Sequence, residues 1–320
     1  MAKDRPVSKF MIVGFIFCVG CFALPALFGI SYLSANEKDS DHLVILGDPH
    51  LPGKNVAEKE KVINTINSWE DVDRVAAVGD ILFELGTADE SEYAKKFFAR
   101  LKRPLSVIVG NHDYIYEDFL NASGRKTKGS SGNRQQKLKR FQETFNLPDL
   151  YYSKKLGSYL LIFLSTDDLN SSDLARISAG QIDWLRSELA RHKTLPTLIF
   201  FHAPLKGTLP NYKPNANRPD YIAQPEEKIR DLILQNSQIF LWVSGHTHTP
   251  ATNESYAADI NLYYVGRVTN LHNCDMNRGT IWTNSIYLSP DKVAVKTFDH
   301  KKGAWMEHLQ RTLRPLPRHP

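Results

Sequence analysis

Short apolar runs, each followed directly by polar residues, recur along the chain and predict the strands of a β-sheet. Five of them are rich in β-branched residues and have the length of a buried strand. They lie at residues 43–46, 74–78, 105–109, 198–201 and 239–243. Between them, apolar residues recur at helical spacing, as in segments 62–69 and 93–101. Alternating strands and helices favour a largely parallel sheet covered by helices.

A further helix is predicted to begin near Ser178. Ser178 and Gln181 have the spacing of a capping box, in which each side chain caps the backbone N–H of the other residue. Apolar residues then recur every three or four positions. Segments 262–265, 280–288 and 293–298 instead alternate apolar and polar residues, which is typical of antiparallel strands.

Polar motifs follow the five predicted strands directly and supply carboxylate, imidazole and amide groups. The carboxyl ends of parallel strands meet at one edge of a sheet, so we expect these side chains to converge in one cleft. Their number and kind suit two divalent metal ions of hard to borderline character. The motifs are Asp48-Pro49-His50, Gly79-Asp80, Gly110-Asn111-His112-Asp113, His202 and Gly245-His246-Thr247-His248.

This order of motifs, D-x-H, GD, GNH[DE], H and GHxH, resembles that of the calcineurin-like metallophosphoesterases. The resemblance covers about residues 48–248. It implies an α/β fold, a four-layer α/β sandwich of two mixed β-sheets flanked by helices. In that fold, segments 262–265, 280–288 and 293–298 would complete the second sheet.

The resemblance also implies a set of metal ligands and a cofactor. The cofactor would be two divalent metal ions, with Mn, Fe or Zn as the leading candidates. A carboxylate that lies between two such ions can offer one oxygen to each. One ion would be held by Asp48, His50 and His248, the other by Asn111, His202 and His246, and both by Asp80.

The reaction implied by the resemblance is hydrolysis of a phosphoric ester by attack of a metal-bound hydroxide. His112 would stabilise or protonate the leaving oxygen, and Asp113 would orient His112 or a neighbouring group. The catalytic residues expected beside the metal ligands are therefore His112 and Asp113.

The motifs also bear on the branch of the family. Phe83 stands three residues after Asp80, where many members have a second carboxylate and purple acid phosphatases have a metal-binding tyrosine; Glu84 follows one residue later. The Asn-His-Asp and His-Thr-His forms most resemble the branch that contains cyclic-nucleotide phosphodiesterases. Phosphodiester hydrolysis is the leading expectation. The alternatives are phosphomonoester hydrolysis, a nuclease, and a catalytically silent member that binds phosphorylated ligands or proteins.

Residues 10–33 form an uncharged apolar run of 24 residues. As a helix, at about 1.5 Å per residue, it is long enough to cross a hydrocarbon core of about 30 Å. Basic residues precede the run and acidic residues follow it, so the positive-inside rule predicts residues 1–9 in the cytoplasm and the domain outside. The alternative is a cleaved signal peptide and a secreted domain.

The remaining chain, roughly 285 residues, suits one large domain. We expect this domain at residues 34–310 and a flexible basic tail at residues 311–320. The net charge of +5 selects no partner. The expected partners are a phosphorylated small molecule or lipid as substrate and the membrane through the N-terminal helix. Nothing in the sequence indicates a nucleic-acid-binding module, and the oligomeric state is left open.

Two segments, 122–136 and 206–219, are predicted to be loops beside the cleft. Basic residues of the first could recruit an anionic substrate or contact lipid headgroups, with solvated surface charges as the alternative. These residues are Arg125, Lys126, Lys128 and Arg134. The six histidines outside the motifs are expected to be structural or solvated, and Cys274 to be a buried or inert thiol.

Overall fold

The computed structural model describes residues 40–209, 216–253, 262–263 and 267–313. These residues belong to one compact unit within residues 36–320. The predicted membrane anchor at residues 10–33 lies outside the described residues. Within the described part of the chain, no helix has the length and apolar character needed to span a membrane.

Strands and helices alternate through the first two thirds of the described chain, and strands dominate the last third. The helices are α1 (Val56–Ser68), α2 (Ala88–Phe98), α3 (Asn111–Tyr114), α4 (Ser131–Phe145), α5 (Ala179–Arg191) and α6 (Glu226–Gln235). The strands are β1 (Asp41–Leu46), β2 (Val72–Ala77), β3 (Leu105–Val107), β4 (Tyr152–Leu156), β5 (Tyr159–Phe163), β6 (Thr197–Phe200), β7 (Ile239–Ser244), β8 (Leu262–Tyr263), β9 (Val268–His272), β10 (Trp282–Leu288), β11 (Val293–Asp299), β12 (Ala304–Trp305) and β13 (Arg311–Leu313). All five strands expected before the motifs are present, with ends shifted by at most two residues.

The strands form two mixed sheets. The first has the order β12-β11-β10-β1-β2-β3, with β13 beside β11, and the second has the order β4-β5-β6-β7-β9-β8. Strands β1, β2 and β3 are parallel in the first sheet. Strands β5, β6, β7 and β9 are parallel in the second. Each sheet therefore collects several carboxyl strand ends at one edge.

Strand β1 shows how the layers are stacked. Successive side chains of a strand point to opposite faces, and β1 is buried on both. Val44 and Leu46 pack in a cluster with residues of α1, α2 and α4. Leu43 and Ile45 pack in a second cluster with strands of the other sheet. A third cluster joins that sheet to α5 and α6. The order is helix, sheet, sheet, helix, the four layers expected.

The placement of the last strands differs from the expectation. Strands β10 and β11 do not complete the second sheet, because β10 pairs antiparallel with β1, with Leu43 opposite Ile286, and β11 pairs with β10. Of the three alternating segments, only the one that contains β8 joins the second sheet. A period of two indicates that a strand has two faces, but it does not identify the neighbouring strand.

Segment 122–136 is a loop only as far as residue 130, because helix α4 begins at Ser131. Arg134, expected to be available to substrate, is 5% exposed. Its guanidinium donates to the backbone carbonyls of Gly129, Leu169 and Ser171. Arg134 therefore ties the loop to its surroundings and is no longer a candidate for recruiting substrate.

The start of α5 and the end of the described chain each differ from the expectation in part. Ser178 Oγ accepts a hydrogen bond from Gln181 N as predicted. The Gln181 side chain, however, binds the backbone N and O of Ser165 instead of returning to Ser178. At the other end, Arg311–Leu313 pairs with β11, so the sheet extends three residues into the expected tail. Residues 314–320 lie outside the described chain.

Candidate dimetal centre

The side chains predicted as metal ligands come together at the carboxyl ends of five parallel strands. Both sheets contribute, so ligands that lie far apart in sequence become neighbours. Asp48 and His50 follow β1, Asp80 follows β2, Asn111 follows β3, His202 follows β6, and His246 and His248 follow β7.

A first group of ligand atoms comes from Asp48, His50, Asp80 and His248, all within 4.8 Å of one another. The Nε2 atoms of His50 and His248 are 3.5 Å apart. His248 Nε2 lies 3.8 Å from Asp48 Oδ1. Asp48 is fully buried, so its carboxylate faces the group and not solvent.

A second group comes from Asp80, His202 and His246, again within 4.8 Å. His246 Nδ1 lies 3.0 Å from His202 Nε2. Asn111 Oδ1 lies 3.1 Å from the same nitrogen, and Asp80 Oδ1 lies 3.3 Å from it. Asp80 belongs to both groups. The two groups together contain six of the seven predicted ligands, and the seventh, Asn111, lies beside the second group.

Each histidine of these groups has its other ring nitrogen next to an acceptor. Because a carbonyl oxygen only accepts hydrogen bonds, the nitrogen that faces it must carry the ring proton. The distances are 3.0 Å from His50 Nδ1 to Phe83 O, 2.9 Å from His202 Nδ1 to Val78 O, 2.7 Å from His246 Nε2 to Asp220 O and 2.7 Å from His248 Nδ1 to Asp275 Oδ2. In the neutral form of each ring, the inward nitrogen is then the one that can donate an electron pair to a cation.

These inward electron pairs provide a test of whether a cation fits. His202 Nε2 and His246 Nδ1 face each other across 3.0 Å, a separation at which a positive charge, either a proton or a metal ion, must lie between their electron pairs. The carbonyl oxygen of Asn111 points at the same place. Divalent ions accept electron pairs from imidazole nitrogen and from carboxylate and amide oxygen. The donor set thus fits two cations, with Asp80 available to both.

The pKa values of the histidines follow from burial and from the two carboxylates. Burial lowers the pKa of His50 and of His246 to about 3. Burial would also lower the pKa of His202, but Asp80 and Asp48 outweigh it and raise the value to about 9. His50 and His246 are neutral at physiological pH, as metal ligation requires, while His202 lies where the carboxylates favour positive charge.

The pKa values of Asp48 and Asp80 shift in opposite directions. Burial raises the pKa of Asp48 to about 7, against the opposing effect of His248 and His202. Burial also acts to raise the pKa of Asp80, but His202 and His112 hold it well below its usual range. Asp80 is therefore the carboxylate that stays ionised at the junction of the two groups.

The backbone at these ligands adopts a conformation that side chains rarely take. Seven non-glycine residues of the described chain have positive φ angles, and five of them are predicted ligands. Left-handed conformations of non-glycine residues cost about 1 to 3 kcal/mol each and cluster at functional sites. The five are Asp48 (38°), His50 (46°), Asp80 (46°), His246 (61°) and His248 (53°).

His112 lies at the edge of the first group. Its ring centroid is 5.1 Å from that of His50, and its Nδ1 lies 2.8 Å from Glu84 O. That contact places the ring proton on Nδ1 and leaves Nε2 free to exchange a proton. Burial lowers the pKa of His112, against the opposing charge of Asp80.

Asp113 lies near the site, but its carboxylate binds the backbone of two neighbouring loops. Its carboxylate accepts hydrogen bonds from Gly110 N at 2.7 Å and from Leu82 N at 2.8 Å. Both oxygens are thus engaged by the backbone, and the partner that orients the His112 ring is the carbonyl of Glu84. Of the two expected roles, orienting His112 or a neighbouring group, the contacts fit the second, because Asp113 holds together the two loops that carry Asp80 and Asn111.

The sequence motifs do not include Asp275. Its carboxylate is 1% exposed and contacts both His248 Nδ1, at 2.7 Å, and Arg278 Nε, at 3.0 Å. The His248 imidazole and Arg278 hold the pKa of Asp275 below its usual value, although burial acts to raise it. Asp275 follows β9, another strand parallel to β7. A prediction of β9 would have brought it into view, since it stands at a carboxyl strand end like the other site residues.

Other potentially reactive side chains are buried and belong to neither group of ligand atoms. His42 lies 2.9 Å from Ser285 Oγ and 3.0 Å from Asp71 Oδ2, the residue types of a serine hydrolase triad. His42 and Ser285 are at most 1% exposed, so no substrate reaches the hydroxyl and His42 is structural, as expected. Cys274 is buried as expected, and burial raises the pKa of its thiol to about 12.

Comparisons with known proteins identify the family and similar folds. The family model for calcineurin-like phosphoesterases matches residues 42–250. A dimetal phosphatase from Danio rerio has a similar structure, with a TM-score of 0.57, 15% identity, and coverage of 86% of this chain and 99% of that chain. No curated protein sequence matches.

Two further solved structures are similar. A purple acid phosphatase from yellow lupin (Lupinus luteus) seeds has a TM-score of 0.54 and 13% identity, over 86% of this chain and 54% of the lupin chain. GAP50, the anchor in the inner membrane complex of Plasmodium, has a TM-score of 0.54 and 12% identity, over 87% of this chain and 90% of that chain. At these identities the likeness concerns the fold. With the family match over most of the described domain, the chain belongs to the calcineurin-like phosphoesterases and is a metal-dependent hydrolase of phosphoric ester bonds.

Proposed function

We propose that this chain is a dimetal phosphodiesterase in which Asp48, His50 and His248 hold one ion, Asn111, His202 and His246 the other, and Asp80 both. The observation that carries the proposal is the position of Asp80 in both groups of ligand atoms. Two divalent ions bound there would polarise the phosphoryl group and make water a strong nucleophile at neutral pH. The donor set admits Mn, Fe or Zn.

His112 is the proposed proton donor to the leaving oxygen. The contact with Glu84 O fixes the ring through Nδ1, so Nε2 is the atom that delivers the proton. Negative charge of a bound phosphoester favours the protonated imidazole and opposes the effect of burial. Proton transfer of this kind contributes typically about 10²- to 10⁴-fold to the rate.

The preference for diesters rests on the motifs Asn111-His112-Asp113 and His246-Thr247-His248. Their form resembles that of the cyclic-nucleotide phosphodiesterase branch. A phosphorylated small molecule or a lipid is the proposed substrate class. Phosphomonoesters are the second candidate, since monoester and diester chemistry use the same two-ion arrangement.

We further propose that residues 10–33 anchor the protein in a membrane with the domain outside the cytoplasm. The support is the length of the uncharged run and the basic residues before it. Full-length protein should stay in the membrane fraction after alkaline carbonate extraction and be cleaved by protease added from the outside. Release into the soluble fraction would contradict the anchor and favour a cleaved signal peptide.

The catalytic assignment is tested with purified residues 36–320, the range of the compact unit. Bis-p-nitrophenyl phosphate, p-nitrophenyl phosphate, cyclic nucleotides and phospholipids are assayed with Mn, Fe, Zn, Co and Ni. Asp80→Asn should abolish turnover, while the control Asp183→Asn, on the exposed face of α5, should not. Equal activity of Asp80→Asn and wild type would favour a catalytically silent, ligand-binding member.

The role of His112 is tested by varying the leaving group. His112→Ala should slow the hydrolysis of a diester with an alkoxide leaving group by at least about 10²-fold. It should slow the hydrolysis of bis-p-nitrophenyl phosphate much less, because p-nitrophenolate leaves without protonation. An equal loss on both substrates would assign His112 to binding instead.

A further inference from the structure

Residues 116–128, which we name the 116–128 hairpin, leave the domain beside the candidate metal centre and return to it. Glu117 N donates to Thr127 O at 2.9 Å, and Tyr116 and Lys128 form an antiparallel bridge. At the tip, Asn121 Oδ1 accepts hydrogen bonds from Ser123 N and Arg125 N at 2.9 and 3.0 Å. The hairpin is thus a defined structural element with a hydrogen-bonded tip.

The hairpin exposes two adjacent apolar side chains. Phe119 is 66% exposed and Leu120 is 43% exposed. Only two other large hydrophobic side chains are exposed in the part of the chain that the structure describes, Val56 and Tyr221. Scattered exposed hydrophobics are ordinary, but an adjacent apolar pair on a protruding element is typical of an interaction surface.

The hairpin carries three cations and two anions, so its net charge is positive. Its two acidic residues are engaged at the base: Asp118 lies 2.8 Å from Lys137 Nζ, and Glu117 accepts a hydrogen bond from Ser130 N. The returning side carries three basic residues, Arg125, Lys126 and Lys128. An apolar pair with cations beside it is complementary to an anionic bilayer surface, whose headgroups attract Lys and Arg and whose interior accepts Phe and Leu.

The base of the hairpin touches the site. The Tyr116 ring lies 5.4 Å from the His112 ring. Lys126 Nζ lies 5.2 Å from the centroid of Tyr116 and 3.8 Å from Glu84 Oε1, and Glu84 O is the acceptor for His112. A surface held by this hairpin would therefore lie close to the predicted leaving-group side of the metal centre.

We propose that the 116–128 hairpin docks the domain on an anionic lipid bilayer, with Phe119 and Leu120 in the interface and Arg125 and Lys126 among the headgroups. This contact is separate from the N-terminal anchor. It goes beyond the proposed function, because it concerns where the domain sits and not what it hydrolyses.

Co-sedimentation of residues 36–320, which lack the anchor segment, with phosphatidylcholine vesicles tests the proposal, with and without phosphatidylserine. Wild type should bind the anionic vesicles more strongly. Phe119→Ser/Leu120→Ser should weaken that binding by at least about tenfold, and the control Val56→Ser, which removes an exposed apolar residue on α1, should not. Arg125→Gln/Lys126→Gln should reduce the salt dependence, and the control Lys139→Gln on α4 should leave it unchanged.

A second measurement tests the proposal even if the Phe119→Ser/Leu120→Ser protein does not fold. Phe119→Trp should show additional fluorescence that brominated lipids quench, measured as the difference from wild type. The proposal would be overturned if wild type did not bind anionic vesicles, or if the Phe119/Leu120 variant bound them as well as wild type. It would also be overturned if wild type self-associated instead of binding vesicles and the variant lost that self-association. Binding is measured without turnover and repeated on Asp80→Asn, so its outcome is independent of the catalytic assignment.

Discussion

At the scale of single residues, each histidine of the candidate centre is held through the nitrogen that faces away from it. Three use a backbone carbonyl, which no substitution removes directly. His248 alone uses a side chain, Asp275. Partners of this kind fix the tautomer and the orientation of a metal ligand and raise its basicity. A substitution of Asp275 therefore removes the partner of a ligand of the first group without replacing the ligand itself.

We expect Asp275→Asn to weaken metal binding at the first group by about 10- to 100-fold. The amide of this variant carries no negative charge to face His248 Nδ1. It therefore holds the His248 ring less firmly in the orientation that metal binding needs. Calorimetric titration of the apoprotein with Mn²⁺ measures the effect directly. Asp299→Asn is the control, because Asp299 is also buried but accepts its hydrogen bonds from Lys301 and Lys302 N. Identical affinity of Asp275→Asn and wild type would show that His248 needs no carboxylate.

His300 provides a prediction on pH and stability. Burial lowers its pKa to about 4, against the weaker effect of Asp299, and His300 Nε2 contacts Thr283 Oγ1 at 2.9 Å. The unfolded chain therefore takes up this proton first, near pH 6.5, and stability falls as the pH drops from there toward 4. At pH 5.5 the loss from this group is about 1.4 kcal/mol.

Denaturant unfolding at several pH values checks this dependence. His300→Gln should lose less stability than wild type between pH 6.5 and 5, because one titrating group is gone. Parallel curves for the two proteins would mean that His300 is not held neutral in the folded state.

At the scale of elements, the site depends on tight turns that follow the strands. The turn after β7 brings Gly245 against Asp48, and His246 N donates to both oxygens of that carboxylate at 3.0 Å. A Cβ on Gly245 would lie 2.3 Å from Asp48 Oδ2, which no real contact allows. Glycine is therefore required here by close approach of a ligand and not by its φ angle.

Gly245→Ala should displace the Asp48 carboxylate and reduce both metal content and turnover by at least about tenfold. Metal analysis and steady-state kinetics measure this, and circular dichroism checks that the domain is folded. Gly180→Ala is the matched control: its Cβ meets nothing within 4 Å in α5, and alanine should stabilise the helix by up to about 1 kcal/mol. Full activity and metal content in Gly245→Ala would refute the close contact.

The same elements show what the sequence predicts and what it does not. Strands before the motifs are predictable because their apolar runs are buried on both faces. Helix α4 is not, because Arg134 and Lys137 lie on its buried face, where their cations bind backbone carbonyls and, for Lys137, also Asp118. Because these buried positions are charged, the sequence of α4 shows no clear apolar repeat every three or four residues. Asp275 was missed because β9, which positions it, was not predicted.

At the scale of the whole molecule, the candidate centre lies where two sheets meet. The first sheet supplies Asp48, His50, Asp80 and Asn111, and the second supplies His202, His246 and His248. Leu43 and Ile45 of the first sheet pack in one cluster with Phe163 and Phe200 of the second. This packing fixes the position of one sheet relative to the other. Neither half of the chain contains a complete ligand set, so the site forms only when the sheets have packed.

Anomalous diffraction from crystals grown with Mn²⁺ measures whether Asp80 joins two metal ions. Two anomalous peaks about 3.5 to 4 Å apart are expected. One peak should lie among Asp48, His50 and His248 and the other among Asn111, His202 and His246, with Asp80 between them. A single peak, or two peaks that Asp80 does not touch, would contradict this arrangement.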